Sequence, residues 1–173
     1  VTELDQFWAA ELAAALEKAK SAGRGDIADY LTLRASNDFL RSVSVKWLMS
    51  AFIDTADEFR VKGRPITLET NTKHEFKAGV NTMVGSKLKF SLGLRALSVE
   101  AGWTRLPEHG FIRGNGLAQA RVSHFGLHKA NKDLLLVKIG ERPVWVVQEE
   151  EFVRTPLFED FFHQHFSLLL DEK

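Results

Sequence analysis

Leu4, Trp8, Leu12 and Leu16 recur every four residues with Phe7 beside them, a spacing that gathers one apolar stripe on a helix capped by Thr2 and ended by Gly23. Asp26 is positioned to cap a short second helix, with Ile27, Tyr30 and Leu31 on one face and an end near Ser36. From Asn37 or Asp38 the spacing of Leu40, Val43, Trp47, Leu48, Ala51, Phe52, Ala56 and Phe59 predicts a long buried third helix that Gly63 and Pro65 stop. Its opening Ser42-Val43-Ser44-Val45 alternates as a strand would, so its first turns carry two competing patterns.

Beyond Pro65 the period changes to two. Ile66, Leu68 and Thr70 alternate with polar neighbours, as do Leu88, Phe90 and Leu92, and then Leu97, Val99, Ala101 and Trp103. Read as one strand, Lys87 to Trp103 would run roughly 55 Å, about three times an ordinary strand, so a break is expected at Gly93. Further strands are expected at Phe111 to Arg113, Leu117 to Phe125, Leu134 to Ile139 and Val144 to Gln148. Asn115-Gly116 and Gly140 to Pro143 supply turns, and such short connections favour antiparallel pairing. Thr155-Pro156 offers a cap and first-turn proline for a last helix with Phe158, Phe161, Phe162, Phe166 and Leu169 on its apolar face.

Helices, then strands, then one helix is the α+β order. The expected molecule is a single domain: a helical part over 1–63, a curved antiparallel sheet of five to seven strands over 64–150, and a closing helix within 151–173. Trp8, Trp47, Phe52 and Phe162 are expected to share its core. Gly93 and Gly102 within the strands imply bulges or close backbone approach, which bend a sheet enough to shape a pocket.

The 173 residues are 45% apolar and 27% charged, enough for one conventional core, and they contain no cysteine. That removes disulfides, thiol nucleophiles and thiolate zinc sites, and fits a reducing compartment such as the cytoplasm. The longest run without a charged residue, Phe161 to Leu170, is half of what a bilayer-spanning helix needs, so no membrane partner is expected. The opening Val1 to Asp5 lacks the basic and apolar regions of a signal peptide.

The net charge is zero, yet residues 66–140 hold 11 Lys/Arg against 5 Asp/Glu while residues 141–173 hold 3 against 8. The basic middle either meets an anionic partner or is neutralised by the acidic tail. Motif tests remove several chemistries. Gly114-Asn115-Gly116-Leu117-Ala118-Gln119 lacks the third dinucleotide glycine and joins strand to strand. His74-Glu75-Phe76-Lys77-Ala78 lacks the second zinc-protease histidine, and Glu75-Phe76-Lys77 with Glu69 matches a metal-nuclease pattern only over three residues. His163 and His165, two apart on a helix, diverge too far to share an ion, and Gly126 separates His124 from His128. No metal and no cofactor is expected.

What remains is the stretch from Glu100 to His124. Arg105, His109, Arg113, Arg121 and His124 fall within twenty residues, with Trp103 and several glycines shaping the backbone between them. Guanidinium forks and exposed backbone amides suit a phosphate or carboxylate. Glu100 falls on the strand face opposite Leu97, Val99 and Ala101, between Ser98 and Gly102, with room for a ligand or for Arg113 or Arg121 in a structural ion pair.

Three functions follow as expectations. The first is a non-catalytic module that binds an anionic small molecule or partner through Trp103, Arg105, Arg113, Arg121 and His124. The second is a hydrolase or lyase with Glu100 or His109 as general acid or base and Arg105 or Arg113 steadying an oxyanion. The third is an interaction subunit whose phenylalanine-rich last helix buries its far side in a homodimer. Nucleic acid, held by Lys87, Lys89, Arg95, Arg105, Arg113, Arg121, Lys129 and Lys132 with Trp103, Phe111 or Phe125 stacking, is weighed down by the zero net charge.

Overall fold

A computed structural model describes residues 2–150 and 153–171 of the chain; positions 151, 152, 172 and 173 of the expected C-terminal part lie outside the described residues. The fold is α+β: helices α1 (Glu3–Ser21) and α2 (Gly25–Val61), seven strands, and helix α3 (Glu159–Leu170). The strands are β1 (Thr67–Ala78), β2 (Asn81–Leu92), β3 (Arg95–Trp103), β4 (Gly116–His124), β5 (Lys132–Ile139), β6 (Arg142–Gln148) and β7 (Arg154–Pro156). They form one antiparallel sheet in sequence order that is not closed.

Two N-terminal helices stand where three are expected, because nothing between Gly25 and Val61 breaks the helix. Neither proline nor glycine occurs after Gly25, so the helix runs on through Ser36 and through the strand-like Ser42 to Val45. Its 37 residues make a rod of about 55 Å. The half from Ser44 onward buries Val45, Leu48, Met49, Phe52, Ala56 and Phe59 against the sheet, whereas the N-terminal half buries only Ala28 and is flanked by α1. Arginines fasten the rod to the backbone beneath. Arg41 Nε donates to the Leu117 carbonyl at 2.7 Å, Arg60 Nε to the Ile66 carbonyl at 2.8 Å, and Trp145 Nε1 returns a bond to the Ser44 carbonyl at 2.9 Å.

Three two-residue hairpins, Gly79-Val80, Gly93-Leu94 and Gly140-Glu141, each place a glycine with positive φ at the first turn position, the arrangement that matches strand twist. The expected break at Gly93 is therefore a hairpin. Phe111 to Arg113 is not a strand: β3 and β4 are joined by a long connection with a 3₁₀ turn at Pro107–His109, and Asn115-Gly116 only leads into β4. Thr155 and Pro156 belong to the short edge strand β7, so α3 begins at Glu159 behind an extended Phe158, whose ring is exposed.

The core lies between α2, α3 and one face of the sheet. Phe166 sits at its centre, with ring centroids 5.0 Å from Phe90, 5.8 Å from Phe59 and 6.3 Å from Phe52. Phe52 and Phe162 are buried as expected, but Trp47 is 52% exposed and Trp8 only half-buried. Trp103 and Trp145, on strands whose inward parity faces the helices, take those places in the core. No helix among the described residues is long and apolar enough to cross a membrane.

Candidate functional site

The face of the sheet turned away from the helices carries an uninterrupted polar row. Successive cross-strand partners are Asn71, Lys87, Glu100, Arg121, Asp133, Gln148 and Arg154, one from each strand. Its charged members, Lys87, Glu100, Arg121, Asp133 and Arg154, alternate in sign along the row. The next row reads His74, Gly85, Gly102, Gln119, Leu135, Val146. Its two glycines leave bare backbone between His74 and Gln119.

Glu100 does not bond to Arg113 or Arg121. Its Oε1 lies 2.7 Å from Nε2 of His74, which reaches across β2 where Gly85 has no side chain to block it. Arg121, directly opposite Glu100 in register, turns the other way: its Nε donates to Asp133 Oδ1 at 3.1 Å and its Nη1 to the Lys77 carbonyl at 3.2 Å. Lys77 is on β1, three strand spacings from β4, about 14 Å in a flat sheet. The contact shows that the sheet rolls and brings the β1–β2 hairpin over its open face.

The roll makes a half-open cleft of about 380 Å³ between the hairpin tip and strands β4–β6. Phe76 and Ala120 are among its apolar lining residues, and Arg113, Gln119, Arg121, Asp133 and Gln148 provide polar groups. Asn81 fixes the tip by donating to the Phe111 carbonyl at 2.7 Å. Two groups here lack partners. Among the described residues the Arg113 guanidinium makes no hydrogen bond or ion pair, and Gln119 Oε1 is buried without a donor.

The other candidates are drawn elsewhere. Arg105 is 4% exposed on the helix side, stacked on Trp103 with 3.4 Å from guanidinium carbon to ring centroid, and paired with Asp5 Oδ1 at 3.2 Å. It also donates to the Val84 carbonyl, through Nε at 3.3 Å and Nη2 at 3.2 Å. Burial lowers its pKa and Asp5 opposes that, yet a guanidinium keeps its proton. His109 serves the backbone: its Nδ1 accepts from the N–H groups of Arg105 at 3.1 Å and Leu106 at 3.2 Å. Trp103 is buried and cannot stack on a nucleobase, while Phe111 and Phe125 are exposed at opposite ends of β4, roughly 30 Å apart.

His124 is buried against His165 of α3, Nε2 to Nδ1 at 2.7 Å, and its backbone N–H donates to Asn131 Oδ1 at 2.8 Å. Burial lowers both imidazole pKa values, that of His165 to about 3 with help from His124 and Lys132. A neutral pair shares one proton, whereas the unfolded chain takes up protons near pH 6.5. The unfolded state therefore binds more protons between about pH 6.5 and 3. Stability is full above about pH 6.5 and declines as pH falls toward 3, by roughly 1.4 kcal/mol per unit for one such histidine. His163 acts in the opposite sense: its bond to Glu58 raises its pKa, so its smaller, solvent-screened contribution fades as pH rises through that value. Urea titrations at pH 7 and pH 5.5 are expected to show the loss at the lower pH, and His165→Phe to flatten it.

Parity on the strands places Gln119 beside Arg121, so Gln119 is readable from alternation, but Asp133, Gln148 and His74 enter only through register. Glu69 lies on the open face while Glu75 falls on the other, which separates the acids of the nuclease-like pattern. No cluster of three metal-ligating side chains occurs among the described residues. No family model matches the chain, nor does any curated protein or solved structure.

Proposed function

We propose that the protein is a non-catalytic module that binds a small anion carrying a hydroxyl group, such as a hydroxy acid or sugar phosphate, in the cleft under the β1–β2 hairpin. One observation carries this reading: a guanidinium without a partner, that of Arg113, and a buried acceptor without a donor, Gln119 Oε1, belong to residues that line the same cleft. An anion suits the first and a hydroxyl the second, since a buried polar atom left unmatched costs roughly 1–3 kcal/mol. The absence of cysteine supports a reducing compartment such as the cytoplasm.

The test is a melting-temperature panel of inorganic phosphate, citrate, glycerate and glucose 6-phosphate. A ligand at a hundredfold excess over its Kd stabilises the fold by about 2.7 kcal/mol, which is a rise of roughly 5–11 °C for a domain of this size. Arg113→Ala is expected to abolish the rise while leaving the unliganded melting temperature within about 1 °C. A flat panel, or a rise that survives Arg113→Ala, sinks the reading.

The contact between His74 and Glu100 supports a second reading, acid–base chemistry beside the same cleft. Glu100→Gln then abolishes turnover of whichever compound the panel selects, with little change in melting. A large melting drop would mark the pair as structural.

A further inference from the structure

On the helix side, α1 and the projecting half of α2 leave a second cavity of about 260 Å³ that reaches down to Trp103. It exists because small side chains stand where a packed helix pair would carry large ones. Ala9 and Ala13 of α1 and Ala35 and Ser42 of α2 line it between Trp8, Leu12 and Leu16. The apolar stripe of α1 is consequently only half-buried, and Ala19 is the one buried residue of the helix among those described.

The polar groups of this cavity are unevenly matched. The carboxylates are supplied: Asp5 accepts from Arg105 and Ser42, and Asp38 from Arg41 at 2.7 Å. The indole N–H groups are not: both Trp8 Nε1 and Trp103 Nε1 are buried with no acceptor, and both rings line the cavity. Buried tryptophan N–H groups ordinarily find a partner. Two unmet donors in side chains that help form an apolar wall ask for an acceptor carried on an apolar body. Asp5 and Asp38 are each paired with an arginine, so the wall offers no unpaired cation to an acceptor that is itself an anion.

We infer that this cavity is a binding site for a neutral, largely apolar small molecule bearing one carbonyl group. Size supports the choice: an apolar cavity of about 150 Å³ holds benzene, so this one holds a molecule of roughly ten heavy atoms. The site lies across the sheet from the anion cleft, and either can stand without the other.

The experiment titrates the full chain with 2-nonanone and follows tryptophan fluorescence, two of the four tryptophans being on the cavity wall. Nonanoate supplies the same chain as an anion, and acetone the carbonyl without the chain. One saturable site for 2-nonanone is expected, with a Kd of roughly 0.01–1 mM for a ligand this small. Nonanoate is expected to bind at least about tenfold more weakly and acetone not to saturate. Trp103→Phe, which keeps an aromatic side chain and removes the donor, weakens 2-nonanone roughly fivefold. Ala13→Phe fills the space and abolishes binding, with an unchanged or raised melting temperature confirming that it folds; Ala9→Leu serves the same purpose if Ala13→Phe does not fold. Nonanoate binding as tightly as the ketone, no saturable ketone site, or ketone binding that survives a folded cavity-filling variant would each overturn the assignment.

Discussion

Gly85→Ala is expected to cost roughly 3–5 kcal/mol and to lower the melting temperature by about 6–20 °C. A Cβ at this position would stand 2.0 Å from the Ala101 carbonyl oxygen and 2.6 Å from the Gly102 Cα. These are backbone atoms of the paired strand, so no side chain can swing aside, and β2 and β3 would have to part. Gly102→Ala acts in the same direction, its Cβ meeting the Val84 carbonyl oxygen at 2.6 Å. The pinch also shapes the cleft. It sits where the hairpin rolls over the open face, and the bond between Arg121 and the Lys77 carbonyl depends on that roll. Gly25→Ala is the control: its Cβ meets nothing within 4 Å, and in a helix alanine stabilises by roughly 0.5–1 kcal/mol. Urea unfolding of the three variants checks the order. A Gly85→Ala protein as stable as the parent would mean that the strands do not press together there.

The second large effect is at Asp5. Removing it in Asp5→Ala leaves Arg105 buried with its charge unanswered, an arrangement that costs about 3–5 kcal/mol. The same change cuts one link between α1 and the sheet, because Arg105 ties Asp5 to the Val84 carbonyl. Asp5→Ala combined with Arg105→Met is expected to recover most of the loss, since an apolar side chain over Trp103 needs no counter-charge. A double-mutant cycle by denaturant titration measures this. A loss under about 1 kcal/mol for Asp5→Ala would show that water screens the pair. The assignment of Arg105 to structure follows from its position: of the three arginines expected to hold an anion, it alone is buried on the helix side, whereas Arg113 and Arg121 share the open-face cleft.

Much of the architecture was legible in the chain. The change from a period of about four to a period of two after Pro65, the glycine at position 93 and the apolar face of the last helix are local consequences of side-chain spacing and backbone freedom. The α+β order, the antiparallel pairing and the inward parity of Leu97, Val99, Ala101 and Trp103 follow from them. The single α2 was less legible, because a capping residue such as Asp26 or Asp38 reads as a helix start even where the preceding turn continues.

The candidate site was decided by tertiary structure. Alternation alone would put His74 on the same face as Leu68 and Thr70, toward the helices. A one-residue shift in register between Asn71 and His74 reverses the parity of the rest of β1 and turns His74 toward Glu100. The destinations of Arg105 and His124 depended equally on contacts that sequence does not display, Asp5 from 100 residues away and His165 from 41. Spacing along a chain reports which face of its own element a residue occupies. Which residue of another element it meets depends on register, bulges and the roll of the sheet, and these arise only when the strands pair and the helices close over them.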